Sequence, residues 1–290
     1  MSEAPDRPPN PLRRLRRRFR PRTRPRFEGL SFNRLIPNIL TMLGLCAGLV
    51  AIRAAIEGRF ALAAALIVAA AVIDGLDGRL ARLLKATSRF GAEFDSLADF
   101  LSFGVAPAMV LYLWSMQTMG PLGFVPCLLF AVCSALRLAR FNASLDIGPA
   151  PKPAYAYNFF TGVPAPAGAG CALFPLFGAL AFSEWGWIGT GAAIRHPVLV
   201  GTVLVAVGVL MVSTLPTWSF KNFRIPRAAV LPVLLGAGLY VALLVAEPWA
   251  ALAAGGLIYL GMLPFSLRSY ISLKKEAESL MEPVPEPPAA

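Results

Sequence analysis

The chain of 290 residues is 57% hydrophobic and 15% charged, with a mean hydropathy of +0.63. Soluble domains are about half apolar and about a quarter charged, so this composition excludes an ordinary soluble enzyme and indicates a membrane protein. The net charge is +11, and the single histidine and the four cysteines without a CxxC pair argue against a zinc site, a disulfide framework and a Ser-His-Asp triad.

The N-terminal segment, residues 1–30, contains ten arginines between Arg7 and Arg26, with five prolines among them. It has too little apolar surface to fold alone, so we expect a disordered tail. The favoured role is to fix membrane topology. Binding of anionic lipid headgroups is an alternative, whereas the lack of interleaved aromatics argues against nucleic-acid binding. The charged and proline-rich residues 271–290 predict a second disordered tail.

The region between the tails, residues 31–270, is predicted to form one all-α transmembrane domain. A helix needs about 20 apolar residues to cross the hydrocarbon core of a bilayer. Short loops separate eight segments that meet this requirement: 34–53, 60–80, 95–115, 122–141, 163–183, 197–216, 229–246 and 249–267. The sequence therefore predicts a bundle of about eight transmembrane helices.

The distribution of lysine and arginine predicts how this bundle is oriented. The N-terminal tail, the loops after the second, fourth and sixth spans, and the end of the eighth span carry the basic clusters. The opposite loops carry only Arg53, Arg59 and Arg195. Because basic loops stay in the cytoplasm, we expect a multi-pass protein of the inner cell membrane with both termini cytoplasmic.

Four aspartates stand at the ends of the second and third spans: Asp74, Asp77, Asp95 and Asp99. A charge at the bilayer centre costs about 2.5–3.5 kcal/mol, so carboxylates beside the membrane core need a partner. Each pair shares one face of its helix, and the short loop between the helices makes them antiparallel neighbours. Both pairs are therefore expected to meet at the cytoplasmic end. Oxygen ligands favour Mg²⁺, Mn²⁺ or Ca²⁺ over Zn²⁺, and four carboxylates suit two ions.

The residues around the first pair of aspartates suit a phosphate ligand. Gly75, Gly78 and Ala81 leave room for a diphosphate, and Arg82 can hold a phosphate oxygen. Two metal ions in such a place can assist an in-line phosphoryl displacement. The alternative is that the small residues serve helix packing and that nearby arginines pair with the aspartates.

The ordered pattern from Asp74 to Asp99, D-x2-D-G-x2-A-R-x8-G-x3-D-x3-D, resembles the signature of the CDP-alcohol phosphatidyltransferase family at all eight of its positions. Members of that family have a core of six transmembrane helices with the site open to the cytoplasm. They transfer a phosphatidyl group from a CDP-linked lipid to an alcohol and release CMP. The resemblance therefore implies this reaction, and also a homodimer.

The resemblance also implies roles for particular residues. The aspartates would bind two divalent cations, Mg²⁺ or Mn²⁺, and Asp99 would also take the proton of the alcohol. Gly78, Arg82 and Ser88 would contact the CDP moiety. The segment Pro37–Thr41 resembles the nucleotide-side first helix of the family and adds Asn38, although an ordinary helix start explains this segment equally well.

Stretches outside the signature indicate which alcohol accepts the phosphatidyl group. Residues 102–107, 137–142, 161–166 and 213–216, and the count of eight spans, resemble the membrane-integral phosphatidylserine synthases, a branch of the family. This implies CDP-diacylglycerol and L-serine as substrates. Arg137 and Arg140 could bind the serine carboxylate, with a hydrogen bond from Asn142, but the positive-inside rule alone also accounts for these arginines.

Two alternative functions remain open on the sequence. An acceptor such as glycerol 3-phosphate or an inositol derivative would use the same chemistry, and glycerol 3-phosphate would also require arginines. A membrane transporter would place its charges near the bilayer midplane, often in repeated halves. The aspartates stand instead at one membrane face, and the sequence has no repeat at a fixed period.

Overall fold

The computed structural model describes residues 32–146, 159–218 and 227–279, and the predicted tail 1–30 lies outside these ranges. The helices are α1 Phe32–Ile56, α2 Phe60–Leu83, α3 Arg89–Asp99, α4 Ala106–Trp114, α5 Val125–Asp146, α6 Ala165–Glu184, α7 Ile188–Ile194, α8 Pro197–Val212, α9 Arg227–Ala246 and α10 Pro248–Ser279. A π-helical segment, Phe100–Val105, joins α3 to α4, and a 3-10 segment, Met116–Phe124, joins α4 to α5. The predicted all-α fold is confirmed.

Within the described residues, seven helical stretches are long and apolar enough to cross a membrane, and the bent pair α7–α8 makes an eighth if its two helices form one span. The protein is therefore a multi-pass membrane protein, as predicted. The sixth predicted span, 197–216, differs in detail because α8 ends at Val212 and bends by 52° from α7. Pro197 stands in the first turn of α8. Its nitrogen has no N–H group to donate a helical hydrogen bond, so α7 does not continue through this residue.

Two features differ from the sequence prediction. Helix α10 continues to Ser279, past the predicted end of the domain at residue 270. A short antiparallel ribbon joins β1, Phe159–Thr161, to β2, Pro216–Trp218. Its two strands are far apart in sequence and only three residues long, so neither has enough alternation to be recognised from the sequence.

The π-helical segment is held closely between α1 and α5. A Cβ on Gly48 would lie 2.6 Å from Ser102 Oγ and 3.0 Å from Ser102 Cα, so only glycine permits this approach of α1. Ser102 Oγ also donates a hydrogen bond to the carbonyl oxygen of Gly44, at 3.1 Å. On the other side, a Cβ on Gly104 would lie 2.8 Å from Ser134 Oγ of α5. These contacts fix the helix that carries Asp95 and Asp99.

The apolar core lies among the central helices, whereas α9 lies at the periphery. The largest fully buried side chains include Phe103, Phe130, Phe177, Leu204 and Met211. Side chains of α9 are largely exposed, and its most apolar stretch, Ala229–Ala246, has no buried residue. An apolar helix exposed along its length is suited to contact with lipid.

Candidate active site

The start of α3 places the site loop against α1. Ser88 caps α3, and its Oγ accepts a hydrogen bond from the Gly91 N–H at 3.0 Å. A Cβ on Gly91 would lie 3.1 Å from both Ser88 Oγ and Asn38 Oδ1. A side chain at this position would therefore push the first turn of α3 away from Asn38. Gly91, a glycine of the signature, thus allows Ser88 and Asn38 to lie close to the first turn of α3.

Three of the four predicted carboxylates form one group. Oxygens of Asp74, Asp95 and Asp99 all lie within 4.8 Å of one another, and all three side chains are half-buried. Ligands of a divalent cation lie about 2.0–2.6 Å from it, so two ligands of one ion are at most about 4–5 Å apart. The oxygens therefore fit one divalent cation, and α2 and α3 contribute them as the helical spacing predicts.

Asp77 lies beside this group and has a partner of its own. Its side chain is 4% exposed, and Oδ2 accepts a hydrogen bond from Thr41 Oγ1 at 2.8 Å. Asp77 lines the same small cavity as the other three aspartates. The sequence alone assigns no role to Thr41. Its position three residues after Asn38, in the same segment of α1, was the feature of the sequence that could have indicated a role in the site.

A second cavity, of about 180 Å³, adjoins the carboxylates. Asp77 and Asp95 line both cavities. Three of the predicted nucleotide contacts, Asn38, Gly78 and Ser88, lie together in its wall. A Cβ added to Gly78 would meet no atom within 4 Å, so this glycine borders open space and does not serve close helix packing.

Arg82 lies one turn beyond Gly78, outside the wall of this cavity. Its Nε donates a hydrogen bond to the Gly78 carbonyl oxygen at 3.0 Å, and its side chain is exposed. Among the described residues, no arginine forms an ion pair with Asp74, Asp77, Asp95 or Asp99. The guanidinium of Arg82 is exposed and can bind an anionic ligand.

The three predicted acceptor residues occupy different environments on α5. Arg140 donates from Nη1 to the Val212 carbonyl oxygen at 2.9 Å and from Nη2 to that of Ser213 at 3.3 Å, so it caps α8. Asn142 Oδ1 accepts a hydrogen bond from Ser96 Oγ of α3 at 3.1 Å.

Arg137 differs from these two residues. It is half-buried, and its Nε is a buried atom with no hydrogen-bond partner among the described residues. It lies close enough to Asp99 to interact with it electrostatically. Of the three predicted residues, Arg137 is therefore the one placed beside the carboxylate group with a donor to offer.

Comparison with known proteins identifies the family. The sequence pattern of the family described as CDP-alcohol phosphatidyltransferase matches residues 34–211, and that described as CDP-alcohol phosphatidyltransferase 2 matches residues 228–264. The CDP-diacylglycerol–serine O-phosphatidyltransferase of Mycobacterium tuberculosis is 43% identical over 247 residues, which cover 84% of this chain and 82% of that protein.

Other relatives carry the same name. The protein from Mycobacterium leprae is 41% identical over 249 residues, or 85% of this chain and 79% of its own. The protein from Helicobacter pylori is 42% identical over 135 residues, or 47% of this chain and 54% of its own. These matches confirm the prediction made from the signature between Asp74 and Asp99: the chain belongs to the CDP-alcohol phosphatidyltransferase family.

Proposed function

We propose that this protein transfers the phosphatidyl group of CDP-diacylglycerol to L-serine and releases CMP. The observation that carries the proposal is the convergence of Asp74, Asp95 and Asp99 beside an open cavity lined by Asn38 and Gly78. The mycobacterial relatives, which match most of the chain, are named for this activity. The protein is thus a CDP-diacylglycerol–serine O-phosphatidyltransferase.

The four aspartates would hold two divalent cations, Mg²⁺ or Mn²⁺. Carboxylate oxygens suit these ions, and all four aspartates line one small cavity. When bound, such ions would neutralise negative charge on the diphosphate of the lipid substrate. Thr41 holds Asp77 in place for this role through its 2.8 Å hydrogen bond.

The cavity beside the carboxylates would receive the cytidine diphosphate. Asn38 and the hydroxyl of Ser88 offer polar groups in its wall, and Gly78 leaves the backbone open to a close approach. Arg82 would bind a phosphate oxygen at the rim, because a guanidinium matches phosphate geometry. The acyl chains of the lipid would remain in the bilayer.

The reaction needs one base and one positioned alcohol. Asp99 accepts the proton of the serine hydroxyl, and the serine oxygen forms a bond to the phosphorus that bears diacylglycerol. The bond from that phosphorus to the CMP oxygen breaks, and CMP leaves with the electron pair while Arg82 binds its phosphate. Arg137, beside Asp99, would pair with the serine carboxylate. Arg140 and Asn142 would flank the acceptor and hold the wall of its pocket.

The orientation and assembly follow from charge and family likeness. We expect the site and both termini on the cytoplasmic side of the inner cell membrane, because the basic segments fall on one side of eight spans. Fluorescence of a C-terminal fusion that folds only in the cytoplasm tests this orientation. Chemical crosslinking in native membranes tests for the homodimer.

The decisive experiment measures CMP release by the purified full-length protein. CDP-diacylglycerol and Mn²⁺ or Mg²⁺ are supplied with L-serine, glycerol 3-phosphate or inositol in turn. We expect release that requires serine and stops when a chelator is added. Release with another acceptor would change the substrate but keep the family chemistry. No release with any acceptor, from protein shown to be folded, would contradict the proposal.

A further inference from the structure

Ser102, in the π-helical segment, forms a buried hydrogen bond to a different helix. The residue is 2% exposed, and its Oγ donates to the carbonyl oxygen of Gly44 on α1, at 3.1 Å. A serine in a helix often donates to the carbonyl oxygen four residues before it, as Ser96 does to that of Ala92 at 3.0 Å. The hydroxyl of Ser102 instead joins two elements of the fold.

Gly44 extends this connection to the helix that carries Asp74. A Cβ on Gly44 would lie 3.7 Å from Ile73 Cγ2, so α1 packs directly against α2 at this point. Ile73 is the residue before Asp74 in the chain. Gly44 therefore contacts α2 beside Asp74 and, through Ser102, the segment that follows α3.

The same part of α1 borders the carboxylates. Gly44 and Ser102 both line the small cavity that the four aspartates line. Thr41, three residues before Gly44, lines it too, and its hydroxyl donates to Asp77 at 2.8 Å. Helix α1 thus makes two polar contacts about one turn apart, one to α2 and one to the π-helical segment.

The carboxylate group has little tolerance for a shift of α3. The oxygens of its three aspartates all lie within 4.8 Å of one another, and two ligands of one divalent cation are at most about 4–5 Å apart. Ser102 stands three residues after Asp99, about one turn further along. A contact that holds Ser102 against α1 therefore also limits the movement of Asp99.

We propose that Ser102 is a positioning residue for the carboxylate group, because its hydrogen bond to α1 holds the helix of Asp95 and Asp99 at a fixed distance from α2. This inference rests on the proposed function, in which the aspartates bind divalent cations. Ser102 is not itself a cation ligand, since its hydroxyl proton is shared with Gly44. Loss of the hydroxyl should weaken cation binding while every carboxylate remains present.

The test is Ser102→Ala in the full-length protein, with Mn²⁺ binding measured by isothermal titration calorimetry without substrates. We expect the Kd for Mn²⁺ to rise about 3- to 10-fold, the loss expected for one neutral hydrogen bond. Gly48→Ala is a second route to the same effect, because its Cβ would lie 2.6 Å from Ser102 Oγ and would displace the hydroxyl. It should also raise the Kd for Mn²⁺, and it decides the question if Ser102→Ala does not fold.

Ser266→Ala is the matched control. Ser266 is also 2% exposed, and its Oγ donates to the Pro216 carbonyl oxygen at 2.7 Å, outside the wall of the carboxylate cavity. Both serine variants lose one buried hydrogen bond and should lower the Tm similarly, but Ser266→Ala should keep the wild-type Kd for Mn²⁺. An unchanged Kd in folded Ser102→Ala, or an equal loss of affinity in Ser266→Ala, would overturn the inference and leave the proposed function intact. Wild-type protein that neither binds Mn²⁺ nor releases CMP in response to serine would overturn both.

Discussion

The hydrogen bond between Thr41 and Asp77 provides a direct test of the proposed cation site. Thr41→Val removes the hydroxyl and keeps the shape of the side chain. Asp77 is 4% exposed and Thr41 is 7% exposed, so water has little access to replace the lost donor. The carboxylate would then lose the partner that holds it at 2.8 Å.

The size of the effect follows from the charge of the acceptor. A hydrogen bond to a charged group contributes about 1.5–3 kcal/mol, which corresponds to about 10- to 150-fold in an equilibrium constant. Removing a group that orients a metal ligand weakens metal binding by about 10- to 100-fold in other proteins. We therefore expect Thr41→Val to raise the Kd for Mn²⁺ by about 10- to 100-fold.

The assay is Mn²⁺ binding to the purified protein without substrates, measured from the paramagnetic resonance signal of free Mn²⁺. The Mn²⁺ concentration that half-activates CMP release should rise in parallel. Thr41→Ser keeps the hydroxyl and should bind Mn²⁺ within a few-fold of wild type. A folded Thr41→Val protein with an unchanged Kd for Mn²⁺ would refute the claim that Thr41 positions a cation ligand.

Three further predictions concern the base, the phosphate contact and the helix packing. Asp99→Asn should abolish CMP release while the protein still binds CDP-diacylglycerol; retained turnover would remove Asp99 from the reaction. Arg82→Ala should raise the KM for CDP-diacylglycerol far more than the KM for serine, and equal effects on both would argue against a phosphate contact. Gly48→Ala should destabilise the fold by about 1–3 kcal/mol, because the new Cβ would lie 3.0 Å from Ser102 Cα. Thermal unfolding in detergent measures this loss; Gly75→Ala, whose Cβ would meet nothing within 4 Å, should not lower the Tm and serves as its control.

The sequence predicted the parts of the molecule that depend on local pattern. Apolar length located the membrane spans, and four-residue spacing placed Asp95 and Asp99 on one face. The match to the family signature predicted that Asp74 would lie in the same group. Each of these depends on the geometry of one helix or of two neighbouring helices, which the order of residues determines directly.

Contacts between distant segments could not be predicted in this way. Arg140 was expected to bind the acceptor, but it also caps α8 through Val212, which is 72 residues away in sequence. The bond from Thr41 to Asp77 spans 36 residues. Such roles depend on which helices pack together, and the local pattern of a single sequence does not contain that information.

The π-helical segment after Asp99 has a consequence for how this membrane span tolerates change. A π turn contains more residues than an α turn, so Phe100–Val105 acts as a one-residue insertion in an otherwise regular helix. The wide turn absorbs this extra residue locally, so deleting one residue there would restore regular winding and leave the faces of the flanking helices nearly unchanged. Asp95 and Asp99 would keep their approach to Asp74. The same deletion between Asp95 and Asp99 has no wide turn to absorb it and would change the angle between these two side chains by about 100°. The position of a deletion relative to the π-helical segment, and not the hydropathy of the span, thus decides whether the carboxylate group survives.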